Sequence, residues 1–225
     1  MDQHVVMKAP LFSALDEVTA ERLVSSMTPQ RLARGEVVFR EGDPGDSLYV
    51  IVSGKVKLAR ASGDGRESLL SVLGPGEMFG ELSLFDPGPR LSTAYVVSGS
   101  ELISLGNESL RTFLQTHPEV AMQMLAGMAH RLRRTNEGIS DLVFTDVPGR
   151  VAKALLDLSD RFGRRTEAGL LVAHELTQEE LAQLVGASRE TVNKALADFA
   201  HRGWISLGAK AVTLLDLQRL RRRAR

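Results

Sequence analysis

The chain has 225 residues, 43% of them apolar, which suits two domains that each bury a real core. Lys plus Arg and Asp plus Glu number 28 each, so any affinity for nucleic acid has to come from local clustering of charge and not from the total. Cysteine is absent, which excludes disulfide frameworks, thiolate metal sites, iron–sulfur clusters and thiol redox sensing, and fits a reducing compartment.

The N-terminal MDQHVVMKAP has no basic segment followed by an apolar run, and no apolar stretch approaches the roughly 20 residues of a spanning helix, so a cytoplasmic location is expected. From about Arg31 to Leu105 the β-rich runs EVVFR, LYVIVSG, KVKLAR, ESLLSVL and STAYVV recur at intervals of about 8 to 12 residues, the pattern of an antiparallel β sandwich or barrel. The segments EGDPGD, ASGDGRE and GPGE supply the tight reversals between them.

After His117-Pro118 the period changes. Ala121, Leu125, Met128, Leu132, Thr135, Ile139 and Leu142 follow at spacings of 4, 3, 4, 3, 4 and 3, a heptad seam on one long helix. With Arg131, Arg133, Arg134 and Glu137 off the seam, a two-stranded coiled coil and hence a homodimer is expected; the alternative is a helix that packs this stripe on its own domain. In TDVPGR, Asp146 can cap the next helix and Pro148 suits its first turn, where a missing amide hydrogen costs nothing. An amphipathic helix through Val151, Leu155, Leu156 and Leu158, a glycine-containing loop, two short helices and a final hairpin follow.

The two short helices lie in LTQEELAQLVGASRETVNKALADFAHRG. Thr177 and Glu180 form a capping box, Gly186 breaks the first helix, and Ser188 caps a second that ends at Gly203, with Val192, Leu196 and Phe199 inward and Arg189, Glu190, Asn193 and Lys194 outward. A helix that reads the major groove needs donors and acceptors in its first outward turns. Arg189 can grip guanine O6 and N7, Glu190 can accept from the cytosine amino group, and Lys194 can reach a guanine or a phosphate. Thr177, with Gln178 beside it, and Ser188 and Thr191 are suited to contacts that fix register. The alternative is a solvated charged face. Trp204 to Leu207, the turn Gly208-Ala209-Lys210 and Val212 to Leu215 then make a β wing, and the terminal RLRRRAR reads as a solvated tail that could add nonspecific phosphate attraction.

A second constellation is FGELSLFDPGPRLSTA. Burying a phosphate requires a permanent cation and amide donors, which Arg90 and a short helix opening near Gly80 would supply, while Glu81 adds an acceptor for a sugar hydroxyl; a structural Glu81–Arg90 ion pair is the alternative. The five histidines, His4, His117, His130, His174 and His201, show no metal-ligand spacing, and neither a G-x-S-x-G elbow nor a P-loop is present, so an enzyme is not expected.

EGDPGDSLYVIVSGKVKL followed by FGELSLFDPGPR resembles the cyclic-nucleotide-binding β roll, and VGASRETVNKAL resembles the helix-turn-helix of the cyclic-AMP receptor protein (CRP/FNR) family. The likeness spans residues 10 to 215 and is closest to the actinobacterial type, on DVPGRVAK and QLVGASRETVNKALADFAHRGWI. It implies an α+β chain: a cyclic-nucleotide-binding β roll (jelly-roll) over 1–117, a dimerisation helix and hinge over 118–145, and a winged helix-turn-helix over 146–225. It further implies a cyclic-AMP-responsive regulator without a metal, which binds TGTGA-N6-TCACA-like duplex DNA as a homodimer and meets RNA polymerase. In the implied ligand set of Gly80, Glu81, Leu82, Arg90, Leu91, Ser92, Thr135 and Asn136, Glu81 holds the ribose 2′-hydroxyl and Arg90 the cyclic phosphate. Thr135 and Asn136 meet the adenine, one of them from the partner subunit.

Two departures qualify this. Relatives commonly carry Ser or Thr directly after the arginine, where this chain has Leu91, so only the Leu91 amide or the neighbouring Ser92 remains to contact the phosphate. Lys194 stands where many relatives have arginine and replaces a fork with a point charge. A ligand-independent regulator, one sensing another effector, and a nucleotide module acting on a protein partner are the alternatives.

Overall fold

A computed structural model of the chain describes residues 3–63 and 67–224. It divides into two compact units, Met1–Arg66 with Leu70–Arg133, and Glu67–Leu69 with Arg134–Arg225. The division falls inside one long helix.

Up to Gly106 the chain forms α1 (Gln3–Val6) and α2 (Glu17–Ser26), then the strands β1 (Thr28–Leu32), β2 (Val37–Phe39), β3 (Ser47–Ala61), β4 (Glu67–Leu73), β5 (Met78–Phe79) and β6 (Thr93–Gly106), with the single-turn α3 (Leu82–Phe85) between the last two; all but the first three residues of β4 belong to the first unit. The sheet order is β1-β6-β3-β4, with β2 on β6 and β5 on β3, and β3 runs antiparallel to β6 from Ser47 opposite Gly106 to Ala59 opposite Thr93. LYVIVSG and KVKLAR are therefore one 15-residue strand and not a hairpin. Gly54, which reads as a turn in sequence, is a bulge instead. Its φ of 83° and the nearness of Ser100, which any Cβ would strike, both demand glycine, and the register shifts around it. The ASGDGRE turn falls partly on residues 64–66, which lie outside the described residues, as do Met1, Asp2, the His4 side chain and Arg225.

One buried cluster joins Val6, Leu11 and Phe12 of the N-terminal segment to Leu48 and Val50 of β3 and to Val120 and Met124 of the long helix. A second, aromatic cluster of Phe39, Tyr49, Phe79 and Leu102 lies on the other face of β3, as strand alternation requires. After α4 (Asn107–Thr116) comes α5 (Pro118–Phe144). Its inward face is Val120, Met124 and Gly127, where a Cβ would come 3.3 Å from Pro10 Cγ. Its heptad seam is a different face: Leu125, Leu132, Ile139 and Leu142 are 48%, 62%, 58% and 55% exposed.

The second unit contains α6 (Val147–Phe162), β7 (Gly163–Thr166), β8 (Gly169–Val172), α7 (Gln178–Val185), α8 (Arg189–His201), β9 (Ile205–Gly208), β10 (Ala211–Leu214) and α9 (Leu217–Arg223). Val151 and Leu155 of α6, Leu181 of α7 and Val192, Leu196 and Phe199 of α8 are buried as its core. The strands form one sheet in the order β7-β8-β10-β9. The expected glycine-containing loop is thus the β7–β8 hairpin, and the expected tail is α9, whose Leu220 is fully buried.

Candidate functional site

The first-unit site is built around two buried ionisable groups. Arg90 is 5% exposed and Glu81 fully buried, and unpaired charges so placed would cost several kcal/mol each. They do not pair with each other. Arg90 Nη1 donates to the Gly80 carbonyl at 2.9 Å, Nη2 donates to the Ser47 carbonyl at 2.8 Å and approaches Asp46 Oδ1 at 3.4 Å, and the guanidinium lies 4.3 Å above the Phe39 ring. Its backbone is clamped as well, donating to Asp43 O at 2.8 Å and accepting from Gly42 at 2.9 Å.

Glu81 is held by α5. Arg131 Nη1 donates to Glu81 Oε1 at 2.7 Å, and Nη2 donates to the Met78 carbonyl at 2.9 Å. Within this site two buried polar atoms, Glu81 Oε2 and Arg90 Nε, have no hydrogen-bond partner among the described residues. A buried acceptor and a buried cationic donor left unmade are each expensive, and together they match a ligand that brings a hydroxyl and an anion. Gly80, at φ 82°, is required by close approach, since a Cβ there would lie 2.9 Å from Arg90 Nη1.

Burial lifts the Tyr49 phenol above its ordinary value, opposed by Arg90 and assisted by Asp46, so the ring that stacks 5.3 Å from Phe79 stays neutral beneath the guanidinium. Leu91 is 60% exposed and Leu82 43%, with Ser92 half-buried. Gly80, Glu81, Leu82 and Arg90 are thus brought together. Thr135 and Asn136 are exposed on α5 in the second unit.

The sequence does not single out as site residues Arg131, Asp46, Ser47 or Ser83, whose hydroxyl accepts from Arg90 Nη1 at 3.4 Å. Arg131 had a signal: it falls 11, 7 and 4 residues after Val120, Met124 and Gly127, on the inward face of α5 that the heptad seam conceals.

In the second unit the local chemistry sets the helices. Thr177 accepts from the Glu180 amide at 3.2 Å while Glu180 accepts from the Thr177 amide at 2.7 Å, and Gly186 closes α7 at φ 71°. Ser188 accepts from the Thr191 amide at 3.2 Å and opens α8, which ends at His201, two residues short of the left-handed Gly203. Arg189, Glu190, Thr191 and Lys194 are exposed, as are Thr177, Gln178 and Ser188. Asn193 does not belong with them: it is half-buried and its Oδ1 has no partner, because it sits one position from Val192 on the helix flank.

Arg150, unremarked in the sequence, ties the base of α6 to this turn, donating to the carbonyls of Val185 at 3.0 Å, Gly186 at 3.1 Å and Thr145 at 2.8 Å. At the tip of the wing, Lys210 holds φ 56° and its carbonyl accepts from Glu175 at 2.9 Å. Among the described residues no group of three or more His, Cys, Asp or Glu could hold a metal ion, and no helix is long and apolar enough to cross a membrane.

Comparison with known proteins assigns both halves. Residues 29–117 match the cyclic nucleotide-binding domain and residues 149–223 the Crp-like helix-turn-helix domain. The chain is 53% identical to a CRP-like cAMP-activated global transcriptional regulator of Mycobacterium tuberculosis, over the whole of both proteins. It is 36% identical to the cyclic AMP receptor protein of Thermus thermophilus, covering 92% of this chain and 93% of that one. Among solved structures, the c-di-GMP responsive global regulator CLP of Xanthomonas campestris is similar with a TM-score of 0.76 and 30% identity, over 88% of this chain and 99% of the other. The chain belongs to the CRP/FNR family of transcription regulators, joining a cyclic nucleotide-binding domain to a DNA-binding helix-turn-helix, and is not an enzyme.

Proposed function

We propose that this protein is a cyclic-AMP-responsive global regulator that binds, as a homodimer, a pseudopalindrome related to TGTGA-N6-TCACA. The observation that carries the ligand half is the pair of orphaned buried atoms, Glu81 Oε2 and Arg90 Nε, in one cassette. Arg131 engages Glu81 Oε1 and leaves Oε2 for the ribose 2′-hydroxyl, while Arg90, already fixed by two carbonyls, meets the cyclic phosphate. Gly80 and Leu82 border them, and the Leu91 amide with Ser92 completes the phosphate contact. Thr135 and Asn136 meet the adenine, one of them from the partner subunit. The exposed seam of Leu125, Leu132, Ile139 and Leu142 supports the dimer, since such a stripe of large apolar side chains wants a partner helix.

Arg189, Glu190 and Lys194 read base edges, while Thr177, Gln178, Ser188 and Thr191 fix the register on phosphates. The division of labour runs over 1–117 for the nucleotide, 118–145 for the dimer and hinge, and 146–225 for DNA. Ligand shifts a pre-existing equilibrium toward the dimer whose two reading helices match grooves about 34 Å apart. RNA polymerase is the downstream partner and the cytoplasm the compartment.

Leu91 favours one second reading, a different effector. Its 60% exposed apolar side chain stands where a hydroxyl would face the phosphate, and the Xanthomonas relative is named for cyclic di-GMP. Titration calorimetry with cyclic AMP, cyclic GMP and cyclic di-GMP decides between them. Cyclic AMP is expected to bind tightest, and preference for either other nucleotide would contradict the proposal.

A further inference from the structure

The segment after the wing is an anchored helix, and its position gives its arginines a use. Leu220 is fully buried and holds α9 down, while Asp216 caps it by accepting from the Arg219 amide at 3.0 Å. At the other end Arg223 Nη2 meets Asp146 Oδ2 at 2.5 Å. Asp146 is itself the cap of α6, accepting from Gly149 at 3.0 Å, and a Cβ on Gly149 would lie 3.2 Å from Arg223 Nη1. The next residue, Arg150, reaches the carbonyls of Val185 and Gly186, the turn that leads into α8. An unbroken series of contacts therefore places the last turn of α9 at the same end of the second unit as the first turn of α8.

The charges on α9 are unequally used. Arg219 lies 3.4 Å from Asp216 and Arg223 is paired with Asp146, whereas Arg221 and Arg222 are exposed and make no ion pair among the described residues. On a helix they project roughly 100° and 200° around from Leu220, away from the core. In a chain of zero formal net charge, two adjacent cations without an ion pair, at the same end of the unit as the first turn of α8, are a concentrated local source of attraction for a polyanion. Stabilisation of the helix C-terminus by its dipole explains cations in the last turn, but Arg223 already supplies that.

We infer that α9 is a phosphate clamp, in which Arg221 and Arg222 contact the DNA backbone flanking the bases that α8 reads. The clamp rests on the DNA-reading role proposed above and adds a contact without sequence information, so it contributes affinity and salt sensitivity but no specificity.

The test is fluorescence anisotropy of the full-length protein with saturating cyclic AMP, on a TGTGA-N6-TCACA duplex and a scrambled duplex of equal length, from 50 to 200 mM salt. The R221A/R222A variant is expected to weaken both duplexes alike and, since the bound dimer loses four cations, to flatten the plot of log K against log salt by about 3.6, so that the wild-type advantage shrinks about 150-fold across that range. R221K/R222K restores the slope, because a backbone contact needs charge and not a fork. An unchanged slope in R221A/R222A with wild-type binding intact overturns the clamp alone. So does a loss confined to the palindrome, or a slope that lysine does not restore. Failure of the wild type to bind either duplex overturns the DNA-reading proposal and the clamp with it.

Discussion

The two halves of this molecule assemble their sites in opposite ways. In the second unit the residues proposed to face DNA, from Thr177 to Lys194, fall within one helix pair, positioned by hydrogen bonds that span three residues: Thr177 with Glu180, and Ser188 with Thr191. In the first unit, Arg90 is fixed by Ser47, 43 residues away, and Glu81 by Arg131, 50 residues away. The proposed DNA reader is a set of exposed side chains on a helix that folds for other reasons. The proposed nucleotide site is a set of buried charges that the fold itself has to satisfy. Substitution should therefore separate function from stability in one half and entangle them in the other.

The largest effect is expected from Arg90→Ala. It removes the proposed phosphate partner and leaves the carbonyls of Ser47 and Gly80 without their charged donor, so cyclic AMP affinity should fall at least about 100-fold and stability by about 2–4 kcal/mol. Calorimetry and thermal denaturation check both; unchanged affinity would remove the phosphate assignment. Arg189→Ala is the matching change in the other half. Operator affinity should fall at least about 10- to 100-fold, with discrimination relaxed at one base pair of each half-site and the melting curve unmoved. A melting curve that moves as far as that of Arg90→Ala would break the comparison.

Gly186→Val tests whether the reader depends on its turn. A branched residue at φ 71° costs about 1–2 kcal/mol, and the Cβ would also come 2.8 Å from Leu142 Cδ2, so both stability and operator binding should drop. Thr177→Ala removes half of the capping box, at about 1 kcal/mol by thermal denaturation, with the ligand affinity of the first unit untouched.

The smallest effect is set by pH. The hydrogen bond from Arg223 to Asp146, aided by the Gly149 amide, holds the Asp146 carboxyl below its ordinary value of 3.8. A depressed carboxylate contributes stability that is present above its unfolded value and lost as pH falls through the folded one. The wild type should thus exceed Asp146→Asn in stability by a constant margin above about pH 4 that narrows below it. A margin that widens on acidification would have the wrong sign.

What was legible in the sequence follows the same division. The helix pair, its caps, the break at Gly186, the wing and the heptad seam could all be read because each depends on neighbours within a few residues. Glu81 and Arg90 were identifiable as types suited to a nucleotide, but not their partners. Arg131 looked like a surface residue flanking the seam, and Asp46 like part of a turn. LYVIVSG and KVKLAR read as separate runs because the glycine between them, Gly54, has the positive φ that a turn and a bulge in a continuous strand both use. GRRTEAG read as a loop because residues 163–168 are all exposed, and pairing of β7 with β8 shows no alternation to detect. RLRRRAR read as a tail because few apolar residues mark it, and the contact that pins it, Arg223 with Asp146, spans 77 residues.

The central claim is that the buried cassette in one half controls the exposed reader in the other. Titrating the full-length protein onto a TGTGA-N6-TCACA duplex, with and without cyclic AMP at fixed salt, measures that coupling directly. The account predicts at least about fivefold tighter binding with cyclic AMP, and no such gain for Arg90→Ala. Equal affinity with and without the nucleotide would contradict it.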